Sequence, residues 1–309
     1  MPSRVQQYSD LKIVVREPSH RPTQLQRLRE GIFGPVAVPF QHGDTVNELS
    51  FDGSSRRLMA ASSVFKALLA DVVREEPGVS GTLTFPCYDT RAFDILLKII
   101  HGKDSEVPRR LDEATLLEVA VLVDKFGLRE AVKPLSREWV SSEMISTNSM
   151  VSDPMNLLCR MSLFCVFREG DLDPWVIRHA KFSTKFPLTN FNLPIPYPVQ
   201  LDIDTSRVQM LSSIITLMHD TYTRLASTEI RCSKDCDNRA LDTWRKDLVS
   251  LGIQDLPTVL YTGISVDGLD TAYRDLSFRY FECEILEERE CENERCSEAI
   301  GDLLAQLYE

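Results

Sequence analysis

Residues 89–127 read DTRAFDILLKIIHGKDSEVPRRLDEATLLEVAVLVDKFG and encode two helices with a start and a stop signal each. Asp89 offers an N-cap carboxylate, and Phe93, Leu96, Leu97 and Ile100 then recur at helical spacing. Gly102 stands where a left-handed residue closes a helix. Asp112 repeats the cap, and Leu116, Val119, Ala120 and Val123 follow at i, i+3, i+4 and i+7 before Gly127 ends the run. Two capped amphipathic helices in succession predict a helical cluster that needs a partner layer.

Upstream, Val64, Phe65, Leu68 and Leu69 form one apolar stripe, and Thr82-Leu83-Thr84-Phe85 alternates like a short strand. Val36–Phe40 and Val46–Phe51 flank the turn-like His42-Gly43-Asp44, which predicts a hairpin with Pro39 at an edge or bulge. Leu11–Val15 is strand-like, and Leu25, Leu28 and Ile32 share a helical face. Downstream, Leu128, Ala131, Val132, Leu135 and Trp139 give a further helix, which Pro134 should kink or split. Residues 145–154 read as a linker and mark the expected domain boundary. Beyond it the pattern is helical. Leu211, Ile215, Met218, Tyr222 and Leu225 form the longest stripe, and Leu241, Trp244, Leu248 and Leu251 another. Pro187, Pro194, Pro196 and Pro198 predict an extended surface segment between helices.

The whole chain has 309 residues, room for one large or two ordinary domains, and its 43% apolar content is enough for a packed core. Its net charge of −11 disfavours contact with a phosphate backbone. The most basic stretch, residues 1–32, is diluted by Asp10, Glu17 and Glu30. Direct nucleic-acid binding is therefore not expected. No secretory signal is visible and no run reaches the roughly 18 apolar residues of a membrane span. The expectation is a cytosolic or nuclear protein. Eight cysteines are too few for a disulfide scaffold at this length and read as reduced core thiols or a metal site.

Leu58–Leu68, with its Ala60-Ala61-Ser62-Ser63 turn and Val64-Phe65 pair, resembles the shoulder of BTB/POZ domains, where a strand leads into a helix through a serine-rich turn. Ile99-Ile100-His101-Gly102-Lys103, Val107-Pro108 and Leu116–Phe126 resemble the fungal branch of that family, as do Leu193-Pro194-Ile195-Pro196 and the Cys232–Trp244 stretch further on. The resemblance covers roughly residues 33 to 300. It implies an α+β fold, a short sheet with a helical cluster over residues 33–144, followed by a mostly α-helical C-terminal region over 155–309. Residues 1–32 have no clear counterpart and are taken as an N-terminal extension. It further implies a protein–protein interaction adaptor or scaffold without catalysis. Arg56-Arg57 replaces a histidine that often opens the shoulder. In many relatives the N-terminal strand and helix form the dimer contact, so homodimerisation stays open.

In relatives that recruit a cullin scaffold for ubiquitin ligation, a hydrophobic-x-Glu triplet follows the shoulder helix. Val73-Arg74-Glu75 fits that pattern, with Val73 as pocket filler and Glu75 as the charged partner. The plainer reading is a solvated acidic loop. Cys232 and Cys236, four positions apart, are able to present two thiolates to zinc, with Cys283 and Cys296 completing a structural tetrahedral site. Cys291 is a further candidate ligand. Against this stands the reading of reduced core thiols, since no second knuckle and no nearby histidine accompany the pair. A zinc-stabilised regulator or a transcription-linked co-repressor acting through partners is the alternative function. Gly263-Ile264-Ser265-Val266-Asp267 misses the nucleophile elbow, because Asp267 occupies a place that needs glycine. No phosphate loop occurs, and no histidine is spaced for a catalytic triad. No catalytic residue, cofactor or small-molecule substrate is expected. His101 reads as a partner of its own helix end.

Overall fold

Leu11–Pro18 (β1) carries the apolar run Ile13-Val14-Val15, and all three side chains are buried. Consecutive buried side chains require cover on both faces, which places a strand inside a sheet. The computed structural model describes residues 9–30, 45–72, 81–140, 154–168, 172–227, 234–254 and 261–274, and in it β1 is the central strand. It pairs antiparallel with β2 (Val46–Gly53), Leu11 facing Gly53 and Pro18 facing Val46. It pairs parallel with β3 (Gly81–Pro86), Leu11 facing Gly81 and Val15 facing Phe85.

This corrects one expectation. Residues 11–18 are not an extension ahead of the domain but the strand about which its sheet is built. Val46–Phe51 are hydrogen-bonded to β1, while Val36–Phe40, expected as their hairpin partner, lie outside the described residues. The reading of residues 1–32 as an extension used neighbours in sequence, whereas β1 pairs across long separations that local periodicity does not encode.

The next helix, α1 (Gln24–Glu30), packs on α5 (Glu113–Phe126). Arg21, ahead of α1, donates to both carboxylate oxygens of Glu118, and Glu118 also accepts from the Gln24 backbone N–H at 2.7 Å. Two further helices, α2 (Ser55–Ala61) and α3 (Ser63–Val72), follow β2 directly. After β3 come α4 (Thr90–Ile100), α5 and α6 (Arg129–Trp139). The expected punctuation holds. Asp89 accepts from the Ala92 N–H at 2.7 Å and Asp112 from the Thr115 N–H at 2.9 Å. Gly102 (φ 69°) and Gly127 (φ 62°) adopt the left-handed conformation that closes α4 and α5. Pro134 lies inside α6 without splitting it. The core between sheet and helices is aromatic: Phe65 stacks on Phe126 at 4.9 Å, and Phe85, Tyr88 and Phe93 pack edge-on or tilted around them.

Helix α7 (Pro154–Phe167) packs against α1, α5 and α6, so it belongs with the sheet rather than with a region beyond a linker at 145–154. The chain divides into one unit of Met1–Val176 with Thr189–Tyr197 and a second of Ile177–Leu188 with Pro198–Glu309. Among the described residues the fold is thus mixed α/β with a small three-stranded sheet and predominantly helical content, as expected.

The second unit draws on α8 (Pro174–Ser183), α9 (Tyr197–Leu225), α10 (Lys234–Ser250) and α11 (Val266–Arg274). Leu211, Ile215, Met218 and Leu225 of the long stripe are buried with Ala240, Trp244, Leu248, Val266 and Leu269. Trp244 Nε1 donates to the Met218 carbonyl at 3.1 Å. The Pro-rich segment departs from its expected surface course. It holds a 3-10 turn at Leu188–Asn190, and Leu188, Phe191, Leu193 and Ile195 are buried. Proline prevents regular pairing but not burial of the apolar residues between. Among the described residues no helix is long and apolar enough to cross a membrane.

Candidate interaction surface

The α2–α3 pair turns on Ser62. Its backbone is extended (φ −150°, ψ 130°), so α2 stops there and α3 restarts one residue later. Ser62 Oγ accepts from the Val64 and Phe65 N–H groups, both at 3.1 Å, which satisfies donors at the start of α3. The same hydroxyl donates to the Phe126 carbonyl at the end of α5. One serine therefore caps a helix and ties it to another.

That anchoring fixes which face of α3 turns inward. Phe65 and Leu69, four positions apart, are buried. Leu68 is 43% exposed, Lys66 and Ala67 are also exposed, and Val64 is half-buried. Val64, Ala67 and Leu68 stand at i, i+3 and i+4 and so form an apolar outer patch on a helix held rigidly from behind. Val73-Arg74-Glu75 follows α3 immediately in sequence; both Val73 and Glu75, the expected partner-binding residues, lie outside the described residues.

The start of α2 is held by a second set of contacts. Asp10 accepts from the Ser55 N–H at 2.8 Å and from the Ser55 hydroxyl at 2.5 Å. Ser54 N–H donates to His101 Nε2 at 2.8 Å, and Arg57 Nη1 donates to the His101 carbonyl. Arg57 thus ties α2 to the end of α4. His101 Nδ1 lies 2.8 Å from the Leu97 carbonyl, its own helix end, as the sequence suggested. Burial pushes the His101 imidazole below the usual histidine range, aided by Arg57 and Lys103 and opposed by its bond to Leu97 and by Asp10.

The cysteines do not assemble within the described residues. Cys236 is buried on the inner face of α10 with Ala240 and Trp244, while Cys232, Cys283, Cys291 and Cys296 lie outside the described residues. Among the described residues no group of three or more His, Cys, Asp or Glu side chains is placed to hold a metal ion. Ser265 of the near-elbow is an N-cap: its hydroxyl accepts from the Gly268 N–H at 3.0 Å, ahead of α11.

Sequence reasoning missed the outward turn of Leu68, which it placed in one stripe with Phe65 and Leu69. Val64/Leu68 and Phe65/Leu69 are two i, i+4 rows set about 100° apart on the helix, and the Ser62 anchor decides which row turns inward. It also missed the ties of His101 and of Arg21, whose partners are distant in sequence. A scan against protein-family models, a search of curated proteins and a search of solved structures each returned no match for this chain.

Proposed function

We propose that this chain is a protein–protein interaction adaptor of BTB/POZ type. Its sheet-containing unit docks a partner through the outer face of α3 and the Val73-Arg74-Glu75 triplet that follows, and its helical second unit supplies a further binding surface. The partner at α3 is a cullin-type scaffold, which makes the chain a substrate adaptor for ubiquitin ligation. The observation that carries the reading is Leu68, 43% exposed on a helix whose inner side is locked by Phe65, Leu69 and Ser62. An apolar side chain presented on a rigid support loses little freedom on binding, which is the character of an interface anchor. Support also comes from the short sheet beside a helical cluster, although Ser62-Ser63 joins two helices here rather than a strand to a helix. The acidic chain suits a basic or polar partner rim.

The experiment is capture from a native lysate, read by mass spectrometry, with the wild type and a Val73→Ala, Glu75→Ala double variant. The reading expects a cullin scaffold with the wild type and its loss with the variant. Absence of any cullin from both removes the ligase function.

A further inference from the structure

We propose that His101 is an acid-sensitive clasp: a proton taken up by its ring breaks its tie to Ser54 and so loosens the start of α2 against the end of α4, where the Arg57 bond to the His101 carbonyl and the Asp10 bonds to Ser55 remain.

The geometry dictates the tautomer. Ser54 N–H donates to Nε2, so Nε2 carries the lone pair, and Nδ1 carries the hydrogen that bonds the Leu97 carbonyl. A protonated imidazole is a donor at both nitrogens. The Ser54 N–H then meets another N–H, and the bond becomes a repulsion.

The ring has little room to turn away. His101 is 3% exposed, and a Cβ added at Gly53 would stand 3.0 Å from Nε2 and 3.3 Å from Cε1. The Phe51 ring lies 5.0 Å away, centroid to centroid. Three charged groups act on it from the surrounding elements. Arg57 on α2 donates to its carbonyl, and Lys103 just beyond α4 sits over Phe51; both oppose a third positive charge. Asp10, ahead of β1, favours one, but both its oxygens already accept from Ser55.

The sign follows. With the clasp open, the ring titrates at the ordinary histidine value of about 6.5; clasped, it stays neutral to lower pH. Above about pH 6.5 neither state binds the proton and the clasp is unaffected. Below it the opening constant rises by up to about tenfold per pH unit, until the lower value of the clasped ring is reached. Only Ser62 separates α2 from α3 in the chain, so a loosened α2 slackens the base of the α3 face. That regulatory consequence rests on the adaptor reading above; the clasp itself does not.

The test is amide exchange by NMR on the full chain between pH 7.5 and 5.5, with rates corrected for intrinsic exchange. The clasp predicts that protection at Ser54 and through α2 falls by up to about tenfold per unit below pH 6.5, while Val14 and Val15 in β1 keep theirs. In a His101→Gln variant the fall disappears. Should that variant not fold, the nitrogen spectrum of the wild-type imidazole serves instead, with a neutral ring protonated on Nδ1 expected at pH 7. A ring protonated on Nε2, flat protection at Ser54, or an equal loss in β1 overturns the clasp. Partner capture at pH 7.5 is read separately: its failure beside a titrating Ser54 removes the adaptor reading and leaves the clasp in place.

Discussion

Arg21 and Glu118 form a buried ion pair at 2.7 Å, their side chains 2% and 3% exposed, between the segment after β1 and the middle of α5. A pair this deep is costly to break from one side, because the remaining charge has no water. Arg21→Met should therefore destabilise the chain by about 3–5 kcal/mol. Adding Glu118→Leu should recover part of that loss, because the deeply buried lone carboxylate is then gone, while Glu17, 3.5 Å from Arg21 in the wild type, keeps its bonds from Thr90 and the Gln24 N–H loses its acceptor. Urea titration of the two variants checks this. A loss under about 1 kcal/mol for Arg21→Met, the range of surface pairs, would contradict it.

Leu68 and Leu69 are adjacent yet face opposite environments. Leu69→Ala should cost about 2–5 kcal/mol as a core truncation. Leu68→Ala should stay within about 0.5 kcal/mol, as expected of an exposed position. Denaturant midpoints of the two variants decide the orientation of α3, and equal losses would reject it.

Asp112 caps α5 through the Thr115 N–H and hydroxyl, and these bonds hold its carboxyl below the usual aspartate range. A carboxylate depressed in the folded state contributes stability above its unfolded value of about 3.9 and loses it as pH falls through the folded value. Asp112→Asn keeps a capping oxygen and should match the wild type at pH 7 within about 0.5 kcal/mol. It should also lose less stability than the wild type between pH 5 and 3. Parallel acid titration curves would refute this.

Arg207 in α9 is fully buried and donates to the carbonyls of Thr184, Lys185 and Tyr261. Burial pulls its guanidinium below the usual arginine range, with Asp204 acting against this. Arg207→Met leaves buried acceptors without that donor, at roughly 1–3 kcal/mol each. A loss of at least about 3 kcal/mol is expected, together with faster exchange at Gly263, whose N–H bonds the Lys185 carbonyl. Unchanged exchange at Gly263 would contradict the role of Arg207.

Helix ends and helix faces were legible in the sequence because their signals are local. Asp89 and Asp112 cap the helices they precede, Gly102 and Gly127 close them, and Leu211, Ile215, Met218 and Leu225 of the long stripe are buried. What sequence did not disclose depends on distant partners. The central place of β1 follows from pairing with β2 and β3, and the burial of Arg21 follows from Glu118. A charged residue near the start of a chain reads as solvated until its partner is known. Likewise Leu68 and Leu69 are indistinguishable by type, and only the anchoring of Ser62 to Phe126 separates them. His101 was legible as a helix-end partner through Leu97, but its second bond, to Ser54, was not. Of the expected site residues, only Cys236 lies within the described residues, and it lies on the buried face of α10.

The central claim is that the outer face of α3 binds a cullin-type scaffold. Calorimetric titration of the purified chain with the purified scaffold tests it most directly, with wild type and Leu68→Asp run side by side and their melting temperatures compared. The account predicts saturable binding by the wild type, and at least tenfold weaker binding by Leu68→Asp with its melting temperature unchanged. Absence of binding by the wild type, or equal affinity of the two, would contradict it.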